Sequence, residues 1–276
     1  MAIPLLDEEE HVADQLAALA GQTYAGAWEV LVVDNGCTDG TIGIVRRFDF
    51  EAAPVRVVAA PHGLNRARNA AAAEARGDLL AFCDGDDVVA PDWLEQLVEA
   101  ASSADLVGGA LEDEPLNDAW ARGGLPPERA TELLRPHGFL PCAPGGNCAV
   151  WTEVARSVRW DERFEFGSSD IEFSWRAQLA GRSIGFAPGA VVLRRYSPQL
   201  ARRNFAYGVS APLLYRRFRA HGMRRNVAQA RAEWRWLVRM VPGAIRRRSI
   251  RARWLRIGGR RVGRLAGSVR YGVFFP

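Results

Sequence analysis

The stretch LLAFCDGDDVVAPDWLEQLVEAA, residues 79–101, decides the fold. An apolar run (LLAFC) meets three carboxylates within four positions, Asp84, Asp86 and Asp87, and after Pro91 apolar residues recur at helical spacing. A strand covered by helices on both faces needs no polar side. It therefore reads as a continuous apolar run with a helix soon after it, which is the signature of a parallel sheet.

The same alternation extends in both directions. AIPLL (2–6) reads as the end of a strand, and EEEHVADQLAALAGQ after it as a helix whose first-turn acids suit the helix dipole. WEVLVVDNG (28–36) is a second apolar strand, followed by a helix from Asp39 to about Phe48, strand VRVVAA (55–60) and helix NRARNAAAAEA (65–75). Beyond the opening stretch comes strand DLVGGALE (105–112). This order predicts an α/β fold, a Rossmann-like, mostly parallel sheet with helices on both faces and ligands beyond the carboxyl ends of its strands. Residues 115–145 are rich in Pro and Gly and are expected to form a loop region over that site. A second patterned block holds strand NCAVW (147–151), a helix from Thr152, the loop ERFEFGSS (162–169), helix DIEFSWRAQLAG (170–181) and strands SIGFAP and AVVLRRY. From Ser197 the chain reads as helical and arginine-studded, with Trp234, Trp236 and Trp254 interleaved.

A chain of 276 residues, 48% hydrophobic and 25% charged, has enough apolar material for a sizeable core and excludes general disorder. Its net charge of +4 hides a division: residues 1–190 carry 14 Arg against 31 acids, whereas residues 191–276 carry 22 Arg against one acid, Glu233. Such a basic segment is expected to meet something anionic. The sequence contains no lysine, and its four cysteines form no CxxC pair, which argues against a zinc site or a disulfide framework. Neither a signal peptide nor an apolar run of the roughly 20 residues a spanning helix needs is visible, so a soluble or peripheral protein is expected.

Clustered acids at a strand end repel one another unless a cation joins them. Oxygen ligands without His or Cys suit Mg²⁺ or Mn²⁺, which are commonly held by one or two carboxylates plus the oxygens of a diphosphate. The bland alternative for an isolated DGDD is a solvated turn capping the next helix. Asp34 at a second strand end, and Arg66 and Arg68 at the start of a helix, turn the balance toward a nucleoside diphosphate cleft.

At this point the chain resembles the inverting nucleotide-sugar glycosyltransferases of family 2, with the GT-A fold. The resembling stretches are IPLLDEEEHVADQLAALAGQTY, EVLVVDNGCTDGT, GLNRARNAAAAEARGDLLAFCDGDD, PGGNCAVW and RFEFGSSDIEFSWRAQLAGRSIGFAPGAVV, in the family's order over roughly residues 2–196. The resemblance implies that Pro4 and Asp7 belong to the opening nucleotide loop, that Asp34 binds the base or ribose, and that Arg68 lies beside the diphosphate. Asp84 and Asp86 match the DxD motif. Asp86 is the implied direct metal ligand, Asp84 is counted both with the metal and nearer the ribose, and Asp87 is structural. Gly145, Gly146 and Asn147 match the segment lining donor sugar and acceptor. Asp170 matches the general base, with Glu172 in reserve because Ser169 replaces the first acid of the family's pair. Cys37 stands at a common serine position, and Leu5 and Leu6 replace residues that are usually polar or aromatic. Leu193 stands where many members have a His, leaving Arg194 or Arg195 to supply charge to the diphosphate. The first strand is shorter than usual, which implies a late start or a trimmed chain.

The implied organisation is a catalytic domain over 1–196, nucleotide-binding over 1–112 and acceptor-binding over 113–196, then a basic amphipathic helical extension over 197–276. The implied activity is metal-dependent transfer of a hexosyl-type sugar to an acceptor hydroxyl, lipid-linked or polysaccharide, with secondary metabolites as the alternative. The implied location is cytoplasmic, peripheral on the inner face of the membrane, with the basic helices apposed to anionic lipid. Docking of those helices on the acidic half is the plain alternative, and nucleic-acid binding through Arg and Trp is disfavoured. A haloacid-dehalogenase-like phosphotransferase also uses an Asp-x-Asp run, but in its first strand and with a downstream lysine, which this chain lacks.

Overall fold

The computed structural model describes residues 1–164, 167–197 and 199–276. Strands β1 (Ala2–Leu5), β2 (Val30–Asp34), β3 (Val55–Ala59) and β4 (Leu79–Cys83) alternate with helices α1 (Val12–Ala20), α2 (Thr41–Arg47) and α3 (Leu64–Glu74). Along β1, β2 and β4 successive side chains go to opposite faces, and both faces are covered. Ile3, Leu5, Val30, Val32, Ala81 and Cys83 join one core. Ala2, Leu31, Val33, Leu80 and Phe82 join the other. That double burial is why the runs are apolar without alternation.

After β4 come the two-residue strand β5 (Val88–Val89), α4 (Trp93–Ala101) and β6 (Leu106–Glu112), then β7 (Asn147–Trp151), α5 (Thr152–Val158), α6 (Ser169–Leu179) and β8 (Ile184–Leu193). The eight strands form one sheet in the order β3-β2-β1-β4-β7-β6-β8-β5. β1 through β4 are parallel to one another, as are β6 and β8, whereas β7 is antiparallel to both its neighbours and β5 antiparallel to β8. The segments SIGFAP and AVVLRRY form one strand, not two. Its register against β6 shifts between Gly109, opposite Ala187, and Ala110, opposite Val191, so Pro188 and Gly189 form a bulge where the sequence suggests a break.

Residues 115–145 depart from expectation. None of them lines the main cleft; instead the segment lies under the C-terminal helices, where Arg256 donates to the Gly123 carbonyl at 3.2 Å and His137 packs edge-on against Phe275. Those helices are α7 (Leu200–Phe218), α8 (Val227–Arg239), α9 (Val241–Arg246) and α10 (Arg248–Tyr271). α10 runs against α7 with glycine at every fourth position of its contact face. A Cβ on Gly263 would collide with the Phe205 carbonyl oxygen, and one on Gly259 would stand 2.8 Å from that of Ala201. A third core joins Phe164 and Trp175 to Ala211, Leu214, Phe218 and Phe275, so the basic helices dock on the rest of the molecule. Among the described residues no helix is long and apolar enough to cross a membrane. Of the loop ERFEFGSS, residues 165 and 166 lie outside the described residues, as does 198 in the approach to α7.

Candidate active site

Strand order reverses between β1 and β4. The loops leaving these two strands part in opposite directions, and the gap beyond their carboxyl ends is where such sheets bind ligands. A cleft of about 680 Å³ fills it. Pro4, Leu5, Leu6 and Glu8 line it after β1, Asn35 after β2, His62 to Arg66 around the start of α3, and Asp84 to Asp86 after β4, with Glu162, Phe164, Gly167 and Ser169 opposite.

The acids gathered here hold protons more tightly than free carboxyls. Burial and then the charge of Asp84 push Asp86 up to about 6. Burial, Asp86 and Asp84 push Glu8 up to about 8. Asp84 is raised by burial and by Asp170, against the pull of Arg68, and the buried Asp87 is raised by burial, Asp84 and Asp86. An oxygen-only set so charged fits a divalent cation better than it fits itself. Gly146 approaches Asp84 so closely that a Cβ there would overlap its Oδ2. Arg68 is almost fully buried. Its Nη1 donates to Ser169 Oγ at 3.1 Å, its Nη2 lies 4.0 Å from Asp84 Oδ1, and its Nε has no partner. Arg66 lines the cleft and pairs with Glu162 at 3.0 Å.

The two arginines after Leu193 separate. Arg194 turns to Asp113 at 2.8 Å and to the Tyr196 hydroxyl. Arg195 is tied to the acidic turn instead, its backbone N donating to Asp87 Oδ1 at 2.7 Å and its Nε to the Asp86 carbonyl at 2.9 Å. The pairing of β5 with β8 sets Val88 opposite Leu193 and brings these stretches together. Asp87 is thus the anchor of the turn.

Several residues named from the sequence serve elsewhere. Asp34 accepts from the backbone of Gly36 and Cys37 at 3.0 and 2.9 Å, and Asp7, at φ +54°, accepts from Thr38 N at 2.7 Å. Both pin loops beside the cleft, and neither lines it. Asp7, Cys37 and Asp39 bring ligand-type atoms within 4.8 Å of one another, but the oxygens of the two acids are taken by backbone N–H and Thr hydroxyl groups. The structure does not bring Asn147 or Glu172 to the cleft. Asn147 is fully buried, accepting from Trp93 Nε1 at 2.8 Å and donating to the carbonyls of Ala110 and Ala190 at 2.8 and 2.9 Å. Glu172 is equally buried, between Arg176 at 2.8 Å and Arg217 at 3.1 Å.

Asp170 occupies the first turn of α6, half-buried, with Oδ1 accepting from Ile171 N at 2.9 Å. It does not line the cleft, but its charge acts on Asp84 and on Tyr207 of α7. A Cβ on Gly167 would stand 2.8 Å from the Tyr207 ring, and the Ser168 and Ser210 hydroxyls are 2.6 Å apart, so α7 packs against the turn that leads into Asp170. Glu8 and Tyr207 escaped the sequence reading, and Ser169 entered it only as the replacement for the first acid of the family's pair. Glu8 was hidden among acids that suit a helix start, and nothing local marks Tyr207.

The family described as glycosyl transferase family 2 matches residues 1–158. The chain belongs to glycosyltransferase family 2. This glycosyltransferase is 30% identical over 218 residues to glycosyltransferase AglE of Haloferax volcanii, covering 75% of the chain and 70% of the relative. It is 28% identical over 249 residues to the succinoglycan biosynthesis protein ExoM of Rhizobium meliloti, covering 80% and 77%. Among solved structures, S. aureus TarS 1–349 in complex with UDP-GlcNAc has a TM-score of 0.57 at 18% identity, covering all of this chain and 92% of that one. The mannosyltransferase PcManGT from Pyrobaculum calidifontis in complex with GDP-Man and Mn²⁺ matches with a TM-score of 0.57 at 21% identity, over 75% of this chain and 61% of that one. The family 2 fold is GT-A-like, with the helical extension docked on it.

Proposed function

We propose that this glycosyltransferase transfers a sugar from a nucleoside diphosphate to an acceptor hydroxyl with inversion. The observation that carries this reading is the meeting of Glu8, Asp84 and Asp86 at the β1–β4 gap, with Asp170 near enough for its charge to act on Asp84. Pro4 and Arg66 contribute to the donor wall, Gly146 keeps Asp84 accessible to it, and Arg68 and Arg195 balance the charge behind the acids. Asp86 and Asp84 would hold Mg²⁺ or Mn²⁺, which when bound supplies positive charge to the departing diphosphate. Two solved neighbours with this fold are complexes with a nucleotide-sugar, one of them also with Mn²⁺, which supports the donor class.

Asp170 takes the proton of the acceptor hydroxyl as that oxygen attacks the anomeric carbon. The new C–O bond forms opposite the breaking bond to the diphosphate oxygen, the diphosphate leaves with the bonding electrons, and a single displacement inverts the centre. The acceptor in this reading is a lipid-linked or polysaccharide hydroxyl, met at the inner face of the membrane. A relative named for succinoglycan biosynthesis and the basic C-terminal helices support that choice.

The test is a melting-temperature panel of UDP-, GDP- and dTDP-sugars with and without Mn²⁺. One nucleotide should stabilise the fold in a metal-dependent way, by about 2.7 kcal/mol at a hundredfold excess over Kd. Stabilisation by none of them overturns the reading.

A further inference from the structure

The C-terminal helices carry large apolar side chains on their outer surface. Val238 is 74% exposed at the end of α8, Ile245 69% on α9 and Val269 86% near the end of α10. These are parts of one strip. A groove of about 510 Å³ takes in Phe205, Trp234, Val238, Val241 and Val262 and shares Val241, Trp254 and Leu255 with a second hollow that reaches Ile245. Along α10 the strip continues through Val262, Leu265 and Val269, at alternating spacings of three and four that keep one helix face.

The charge around the strip has one sign. Arg202 is the only charged residue lining the larger groove, and Arg251 lines the smaller. Exposed Arg239 and Arg246 follow Val238 and Ile245 directly, and among the described residues none of these four has a carboxylate within ion-pair distance. The only acid of the segment, Glu233, is already paired with Arg261 at 2.7 Å. A second copy of the chain would bring like charges together. The larger groove also lacks the converging polar groups by which specific ligand pockets orient an occupant.

We propose that this strip docks on an anionic lipid bilayer, with Val238, Val241, Ile245, Val262 and Val269 entering the acyl boundary and the flanking arginines meeting headgroup phosphates. Apolar side chains bordered by arginine, with Trp234 and Trp254 between, match what an interfacial surface requires. The inference deepens the membrane location proposed above and rests on that part of it alone. No donor or metal takes part.

The experiment is flotation of the full chain with phosphatidylcholine vesicles, with and without phosphatidylglycerol, at low and high salt. The chain should float only with the anionic vesicles, and salt should weaken it. The pair Val238→Glu and Ile245→Glu should cut partitioning about tenfold or more, and Val269→Glu should act in the same direction from another helix. Arg239→Gln should cost about fivefold. All these side chains are exposed, so the fold and the nucleotide-dependent melting shift should stay unchanged, which separates failure here from failure of the donor reading. Absence of binding to anionic vesicles, or binding indifferent to the glutamates, overturns the proposal. So does a lipid-free dimer that the glutamates dissolve, since the strip would then join two copies.

Discussion

The β1–β4 cleft and the helical extension both carry unbalanced charge, and they accommodate it in opposite ways. At the cleft, Glu8, Asp84, Asp86 and Asp87 crowd a concave end of the sheet with Arg68 and Arg195 behind them, and the cost shows as raised pKa values. In the extension, 20 arginines are spread from Arg202 to Arg270, many of them in full contact with water. Concentrated charge at low hydration calls for a compact counter-ion, whereas dispersed charge suits an extended surface of opposite sign. The two regions are also held differently: the cleft by polar bonds between distant segments, the extension by close helix contact over glycines.

The comparison breaks first at Asp170. Asp170→Asn should lower kcat by about 10²–10⁴-fold while donor-induced stabilisation persists. If turnover survives, the proton goes elsewhere. Asn147→Ala comes next. It leaves the Trp93 N–H and two buried carbonyls without their partner, so unfolding free energy should fall by about 3 kcal/mol in chemical denaturation. Donor affinity per folded molecule should stay within a factor of two or so of wild type, because the side chain bolts β6, β8 and α4 together and does not line the cleft.

Gly263→Ala probes the other region. Its Cβ would press on the Phe205 carbonyl and on Gly208, so melting should show a loss of about 1–3 kcal/mol, with the nucleotide-dependent shift retained. His137 gives the smallest effect. Burial, then the charges of Arg264 and Arg261, lowers its pKa from 6.5 to about 4, so the fold favours the neutral ring. That contribution is complete above pH 6.5 and is lost as pH falls toward 4. The penalty at pH 5 relative to pH 7 should be about 1 kcal/mol, allowing for the solvent the ring still meets. In His137→Asn the difference between melting temperatures at the two pH values should shrink; an unchanged difference would place the titration at another group.

Much of the fold was legible because its signals are local. The apolar runs at 30–34, 55–59 and 79–83 became parallel strands at nearly the expected bounds, and the helices between them began within a few residues of where periodicity put them. β5 was not legible, since Val88–Val89 is too short to hold a pattern. The bulge in β8 was read as two strands because Pro188 and Gly189 look like a turn until a neighbouring strand absorbs them. Asp84, Asp86 and Asp170 were singled out through clustering and resemblance, and the first two line the cleft. Asn147 and Glu172 were named for the site by the same resemblance, and their burial in structural bonds could not be seen along the chain.

By itself the sequence determined the alternation of strands and helices, the acids at the end of the fourth strand, the split between an acidic and a basic part, and the family. Periodicity, composition and charge act over a few residues and are written directly in the chain. The tertiary structure alone decided that Arg195 and not Arg194 meets the acidic turn, across 108 residues from Asp87, and that Tyr207 stands beside Asp170. It also decided that the glycines of α10 face α7 while its valines face outward. Each of these depends on which distant backbones come within a few ångströms of each other, and no local pattern carries that information.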